Sequence, residues 1–155
     1  MKTFLLKNNI PTIKFSMIPD NFFFEGKLPG KEYSLALCPT NEKMVIVDID
    51  CKEGKVNGYD NVPKDIFEEL LKSYNYKTRS GGMHIFLYYT GNQMLKNTST
   101  KYGIDLRIGK CEKTGNNGGY VRYYPAEQGD DIRNHIHEIK ETSLEMNLFL
   151  EKLFS

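Results

Sequence analysis

Two aspartates, two positions apart, close the run Met44 to Asp50, which reads MVIVDID. Val45, Val47 and Ile49 alternate with Ile46, Asp48 and Asp50, and a period of two suits a strand better than a helix. On a strand, side chains at i and i+2 project to the same side. Asp48 and Asp50 therefore point together, opposite an apolar row. Carboxylates that close repel, and a divalent cation between them removes the repulsion. The chemistry on offer is metal-assisted. The structural alternative is a strand running into an acidic turn, since Cys51-Lys52-Glu53-Gly54 follows. A short motif alone leaves both open.

Two later stretches add to it. In Thr78-Arg79-Ser80-Gly81-Gly82-Met83-His84, the glycines allow the backbone close to a ligand. Ser80 supplies a hydroxyl and Arg79 a cation, and exposed amide N–H groups can cradle phosphate oxygens. His84 opens the strand HIFLYY, on a face shared with Phe86 and Tyr88. A hairpin turn and a satisfied core histidine account for the same residues without a ligand. In Gly103-Ile104-Asp105-Leu106-Arg107-Ile108, the apolar residues face the core while Asp105 and Arg107 face away. These two can pair across solvent, which is worth little. They also place a third carboxylate on a non-core face.

DxD on one strand, SGGxH on a second and hDhR on a third resemble the archaeo-eukaryotic primase superfamily. The nearest branch is the bifunctional primase-polymerases of plasmids and phages. The resemblance runs from about Lys14 to Pro125, and GGYVRYYP at 118–125 is similar to that family's strand after the last acidic residue. It implies that Asp48, Asp50 and Asp105 are catalytic and hold two Mg²⁺ or Mn²⁺ ions. Arg79, Ser80, Gly81, Gly82, His84 and Arg107 would bind a nucleoside triphosphate. The implied fold is α+β: a catalytic sheet akin to the RNA-recognition-motif fold, a small N-terminal α/β unit, and helices on one face. The implied reaction is nucleotidyl transfer on a single-stranded DNA template with a primer. In such a reaction two ions about 3.5–4 Å apart clamp the attacking and leaving oxygens. Departures from the family are Tyr124-Pro125-Ala126 where Pro-Pro-Ser is usual, a short segment between Lys14 and Tyr33, and no tryptophan. They bear on substrate contacts rather than on ligands. Relatives often add a helicase or a helical priming domain as partner; neither is expected within these residues.

The elements that must position these residues follow from pattern. Thr3 to Leu6 and Thr12 to Phe15 read as short strands around a turn at Asn8-Asn9-Ile10-Pro11. Met17 to Gly30 reads as loop, with Phe22, Phe23 and Phe24 plugging a core edge. Tyr33 to Cys38 is a strand. Pro63 opens a helix with Ile66, Phe67, Leu70, Leu71 and Tyr74 as its apolar stripe. Tyr76 to Arg79, Met83 to Tyr89 and Tyr102 to Ile108 are strands. Gly91 to Lys101 reads as loop. Gly119 to Tyr124 is the partner of the last of those strands, across a basic turn at Gly109 to Gly118. Thr142 opens a final helix with Glu145 as its capping box, and Leu148, Phe149 and Leu153 are assigned to the core. Strands and helices in that mixture predict a sheet with helices on one face, leaving the other face free for chemistry.

Composition narrows the class. The chain of 155 residues has the length of one ordinary domain. Hydrophobic residues at 39% and charged residues at 26% mark a globular chain. A formal charge of +1 provides no global attraction to nucleic acid, so contacts must come from local cations. Lys14, Lys31, Lys110, Lys113 and Arg122 are the candidates, and weak, distributive primer extension is expected. Cys38, Cys51 and Cys111 form no CxxC pair, which excludes a zinc ribbon and fits a reducing compartment. The N-terminal apolar run is too short for a signal peptide, and no stretch is long enough to span a bilayer. A cytoplasmic location is expected.

Two other functions compete. His135-Ile136-His137 fits the metal motif of HUH-type rolling-circle endonucleases, but no tyrosine nucleophile follows it. Otherwise the two histidines belong to a solvated strand edge beside Arg133 and Glu138. A non-catalytic nucleic-acid-binding module of the same fold is the third possibility, and the intact acidic set argues against it.

Overall fold

In a computed structural model, which describes residues 1–41, 43–109 and 119–155, the MVIVDI run is a strand at the centre of a sheet. The strands in chain order are β1 (Lys2–Lys7), β2 (Ile10–Pro11), β3 (Tyr33–Cys38) and β4 (Met44–Ile49). Helix α1 (Lys64–Leu70) precedes β5 (Asn75–Lys77), β6 (Met83–Tyr88), β7 (Thr98–Ser99) and β8 (Ile104–Ile108). Then come β9 (Val121–Arg122), β10 (Lys140–Glu141) and helix α2 (Leu144–Phe154). The fold is α+β.

The strands form two sheets. One has the order β2-β1-β3-β9. The other runs β10-β6-β4-β8-β7, with β5 added alongside β6. Every pairing is antiparallel except that of β10 with β6.

Strand β4 sends its two sets of side chains into different cores. Val45, Val47 and Ile49 join Ile66, Leu70, Ile85, Leu106, Met146 and Leu150 beneath α1 and α2. Met44 and Ile46 face the other way and join Leu35, Leu37, Phe86, Val121 and Tyr123 between the two sheets. Full burial of one such aliphatic side chain contributes about 1.5–3 kcal/mol, so both faces are needed to hold β4. The face expected to be free is therefore covered by the first sheet over its Met44–Ile46 half. It opens only where Asp48 begins.

Several local expectations are corrected. The N-terminal hairpin turns at Asn8 and Asn9, with φ of 50° and 66°. Asparagine tolerates that left-handed region better than most residues, and the return strand is the short Ile10–Pro11. Phe15–Met17, expected within or beside a strand, is a 3₁₀ turn, and among the described residues the N-terminal unit carries no α-helix. Phe23 and Phe24 do plug the inter-sheet core, while Phe22 stays exposed.

Tyr74 lies beyond α1 and packs into the inter-sheet core, and Leu71 is exposed. The segment from Gly119 does not become the partner of β8. Gly119 N–H still donates to Ile108 O at 2.8 Å, and the chain then crosses so that β9 pairs with β3. Val121 and Tyr123 gain the inter-sheet core by that crossing. Positions 110–118 of the expected turn, Lys110 and Lys113 included, lie outside the described residues.

The cap of α2 is Ser143, which accepts from Met146 N–H at 3.1 Å. No Thr142–Glu145 box forms, and Ser143 N–H is taken by Glu69 at 3.1 Å instead. Leu148 is exposed rather than in the core. Among the described residues, no helix is long and apolar enough to cross a membrane.

Candidate functional site

Register places three polar residues in one row. Asp48 on β4 is opposite His84 on β6 and opposite Asp105 on β8. Directly paired residues of antiparallel strands share a face, with Cβ atoms about 4.5–5.5 Å apart. The row therefore reads His84, Asp48, Asp105 across three adjacent strands. Asp50 follows two residues along, just past the end of β4, where its N–H donates to Gly103 O at 2.8 Å. Asp48 and Asp50 are half-buried, while His84 and Asp105 are buried. Of the expected set, Asp48 and Asp105 are direct cross-strand partners, and Asp50 lies two residues beyond Asp48.

Their electrostatics follow from that placement. Burial, with Asp48 and Asp105 nearby, holds the Asp50 carboxyl above the ordinary range, partly countered by Lys52 and His84. Asp105 accepts the Thr100 N–H at 3.1 Å with one oxygen and faces Arg107 at 3.7 Å with the other. Asp48 faces the His84 Nε2 at 3.4 Å. Among the described residues no three His, Cys, Asp or Glu side chains are already gathered around one point as ligands. The donor set is nonetheless one that suits a hard divalent cation: carboxylate oxygens on neighbouring strands, held where they repel.

The Thr78–Gly82 stretch is the turn joining β5 to β6, closed by Gly81 N–H to Thr78 O at 3.1 Å and Thr78 N–H to Gly82 O at 2.9 Å. Gly81 has a φ of +95°. A side chain at Gly82 would bring its Cβ to 2.2 Å from Ile49 O. The glycines thus serve the turn and its seat on β4, and the Gly81 N–H is spent inside the turn rather than free to cradle a phosphate. Arg79 and Ser80 are exposed on this turn. Arg79 reaches Glu127 at 3.4 Å, and Glu127 also pairs with Arg122, whose guanidinium lies 4.9 Å from the Tyr124 ring centre. Glu127 so ties the turn to the first sheet. Arg107 is half-buried beside Asp105, its Nη1 donating to Leu106 O at 3.2 Å.

Sequence reasoning missed three contributors. Tyr76 is opposite His84 in the hairpin, and its hydroxyl lies 2.8 Å from His84 Nδ1. Counting back from the turn pairs the two residues, so the signal was present. Glu127 carried no sequence signal. Beside Asp50 a cavity of about 460 Å³ is lined by Lys52, Lys55 and Lys101. These lysines come from two loops far apart in sequence, so only folding brings them together.

His137 lies in the 3₁₀ turn Ile136–Glu138, and His135 is the residue between it and the turn Ile132–Asn134, so neither is on a strand edge. His135 stacks on Tyr74 at 4.5 Å, and its ring nitrogens meet Asp130 at 2.7 Å and Glu138 at 2.5 Å. Burial works against its charged form, but those two carboxylates outweigh burial and hold its pKa above the ordinary value. Both nitrogens are committed, so His135 and His137 do not offer the shared open face of a metal-binding pair.

What fold and site define together is an α+β protein with a histidine–carboxylate row across three adjacent strands of its six-stranded sheet. No protein-family model, curated protein or solved structure matches this chain.

Proposed function

We propose that the chain is a primase-polymerase catalytic unit that adds nucleotides to a primer on a single-stranded DNA template. The observation that carries this reading is the His84–Asp48–Asp105 row with Asp50 beside it. Asp48, Asp50 and Asp105 would hold two Mg²⁺ or Mn²⁺ ions, which lower the charge on the reacting phosphate and stabilise both attacking and leaving oxygens. The primer 3′-oxygen forms a bond to the α-phosphorus as the bond to pyrophosphate breaks. Arg79 and Ser80, exposed on the turn at the Asp50 end of the sheet, would meet the outer phosphates. Arg107, beside Asp105, is the second candidate cation. Lys52, Lys55 and Lys101 would take backbone phosphates of the nucleic acid. A largely antiparallel sheet with both helices on one face supports the kinship with the RNA-recognition-motif fold.

Primer extension with each nucleotide set, in Mg²⁺ and in Mn²⁺, tests the reading. Incorporation that is lost in Asp48→Asn supports it. Oligonucleotide binding without incorporation in either metal would favour a non-catalytic module, and nicking with a covalent adduct would favour the endonuclease.

A further inference from the structure

Tyr76 lies between the sheets, where its single hydroxyl proton is directed to a backbone carbonyl. The hydroxyl is 2.8 Å from the Arg122 carbonyl oxygen, which can only accept. It is also 2.8 Å from His84 Nδ1. With its proton given to Arg122, the Tyr76 oxygen must accept from His84, so Nδ1 carries a hydrogen. The ring itself is packed edge-on against His84 at 5.2 Å and against Tyr123 at 5.3 Å.

In the neutral ring a hydrogen on Nδ1 leaves Nε2 bare. That nitrogen faces Asp48 Oδ1 at 3.4 Å. A bare nitrogen and a carboxylate oxygen have no hydrogen to share. They are, however, spaced as two donors on one ion, which stand roughly 3.0–3.4 Å apart when each is about 2.1 Å from it.

We propose that Tyr76 is a positioning residue that holds His84 in its Nδ1–H form, so that Nε2 adds a nitrogen donor to the Asp48 side of the cation site. This rests on the metal-site reading above but not on nucleotidyl transfer. It assigns His84 to the ion rather than to the triphosphate. A nitrogen donor favours transition-metal ions over Mg²⁺. A hydrogen bond to the remote nitrogen of a ligand histidine is typically worth about 10- to 100-fold in metal affinity.

The test uses the full chain and its Tyr76→Phe variant. Proton–nitrogen correlation spectra of the metal-free wild type, recorded above the range where histidines ordinarily carry two protons, should show His84 protonated on Nδ1 and bare on Nε2. Protonation on Nε2, or on both nitrogens, overturns the proposal. Titration with Co²⁺ and with Mg²⁺ then reads the ligand role. Tyr76→Phe should weaken Co²⁺ binding about 10-fold or more while leaving Mg²⁺ binding within about twofold. Equal Co²⁺ affinity in both proteins overturns it. The predicted Nδ1–H form and Co²⁺ difference without any primer extension by the wild-type chain would count against the catalytic reading instead, since neither readout requires turnover.

Discussion

Asp48 and Asp105 are direct cross-strand partners on β4 and β8, two carboxylates aligned where a sheet ordinarily sets opposite or neutral side chains. Like charges directly opposite each other destabilise a sheet by a fraction of a kcal/mol, up to about 1 kcal/mol. A divalent cation that binds only the folded chain should therefore raise its stability, by about 2.7 kcal/mol at a hundred times the dissociation constant. Thermal unfolding in chelator and in millimolar Mn²⁺ measures this. Asp105→Asn should unfold at a similar temperature in chelator and gain little from Mn²⁺. A variant that gains as much as wild type would remove Asp105 from the metal site.

Asp50 gives the site a pH signature. Its carboxyl titrates above the unfolded value of 3.8 because burial, Asp48 and Asp105 all disfavour its charge. The folded chain then binds more protons than the unfolded chain just above that value, so stability falls as pH rises through the window. In metal-free buffer Asp50→Asn should lack that fall and be the more stable protein at neutral pH. Denaturant unfolding of both proteins across the acidic range isolates the difference. Asp131, whose carboxyl is held low chiefly by its hydrogen bond to Arg133, contributes the opposite slope in both and cancels.

Gly81 and Gly82 should respond differently to alanine. At Gly82 the new Cβ would meet backbone, 2.2 Å from Ile49 O, and the hairpin must back away from β4. Overpacking of this kind costs about 1–3 kcal/mol. At Gly81 nothing lies within 4 Å and only the φ of +95° resists, a strain of roughly 1–2 kcal/mol. Gly82→Ala should also displace His84 relative to Asp48 and depress metal binding, whereas Gly81→Ala should lower stability alone. Calorimetric metal titration of the two variants separates these outcomes.

The lysine-lined cavity beside Asp50 predicts how strongly salt weakens oligonucleotide binding. Each phosphate neutralised on a single strand contributes about 0.7 to the slope of log affinity against log salt. Replacing Lys52, Lys55 and Lys101 together by alanine should flatten that slope by about 2. Fluorescence anisotropy with a labelled single strand, over a salt series, gives the value. An unchanged slope would place the nucleic acid elsewhere.

Asp48 and Asp105 were legible because they sit on strands whose alternation fixes their face, while Asp50 lies just past the end of β4. Asp48 and Asp105 needed only the period of two to be aimed correctly. The pairing of Asp105 with Asp48 rather than with another strand was not in that pattern, and neither was the first sheet laid over Met44 and Ile46. Both depend on contacts distant in sequence. The misplaced partner of β8 has the same cause. Gly119 still bonds to the end of that strand, and beyond it Val121 and Tyr123 are in the inter-sheet core. The α2 cap failed on a local detail, since Thr142 and Ser143 are adjacent and equally suited. Thr142 is drawn instead into a buried network with Thr90 and Asn147.

Because β4 is paired on both edges and packed on both faces up to Asp48, that aspartate also guards the fold against mispairing. A slip of one residue against β6 or β8 would invert every side chain of the strand. Asp48 would then enter the layer now filled by Val47, Ile66, Leu70 and Met146, an uncompensated charge among aliphatic groups. Burying such a charge without a partner costs several kcal/mol, far more than the repulsion the native register tolerates. The same carboxylate that strains the native sheet therefore widens the energy gap between it and its nearest shifted alternative.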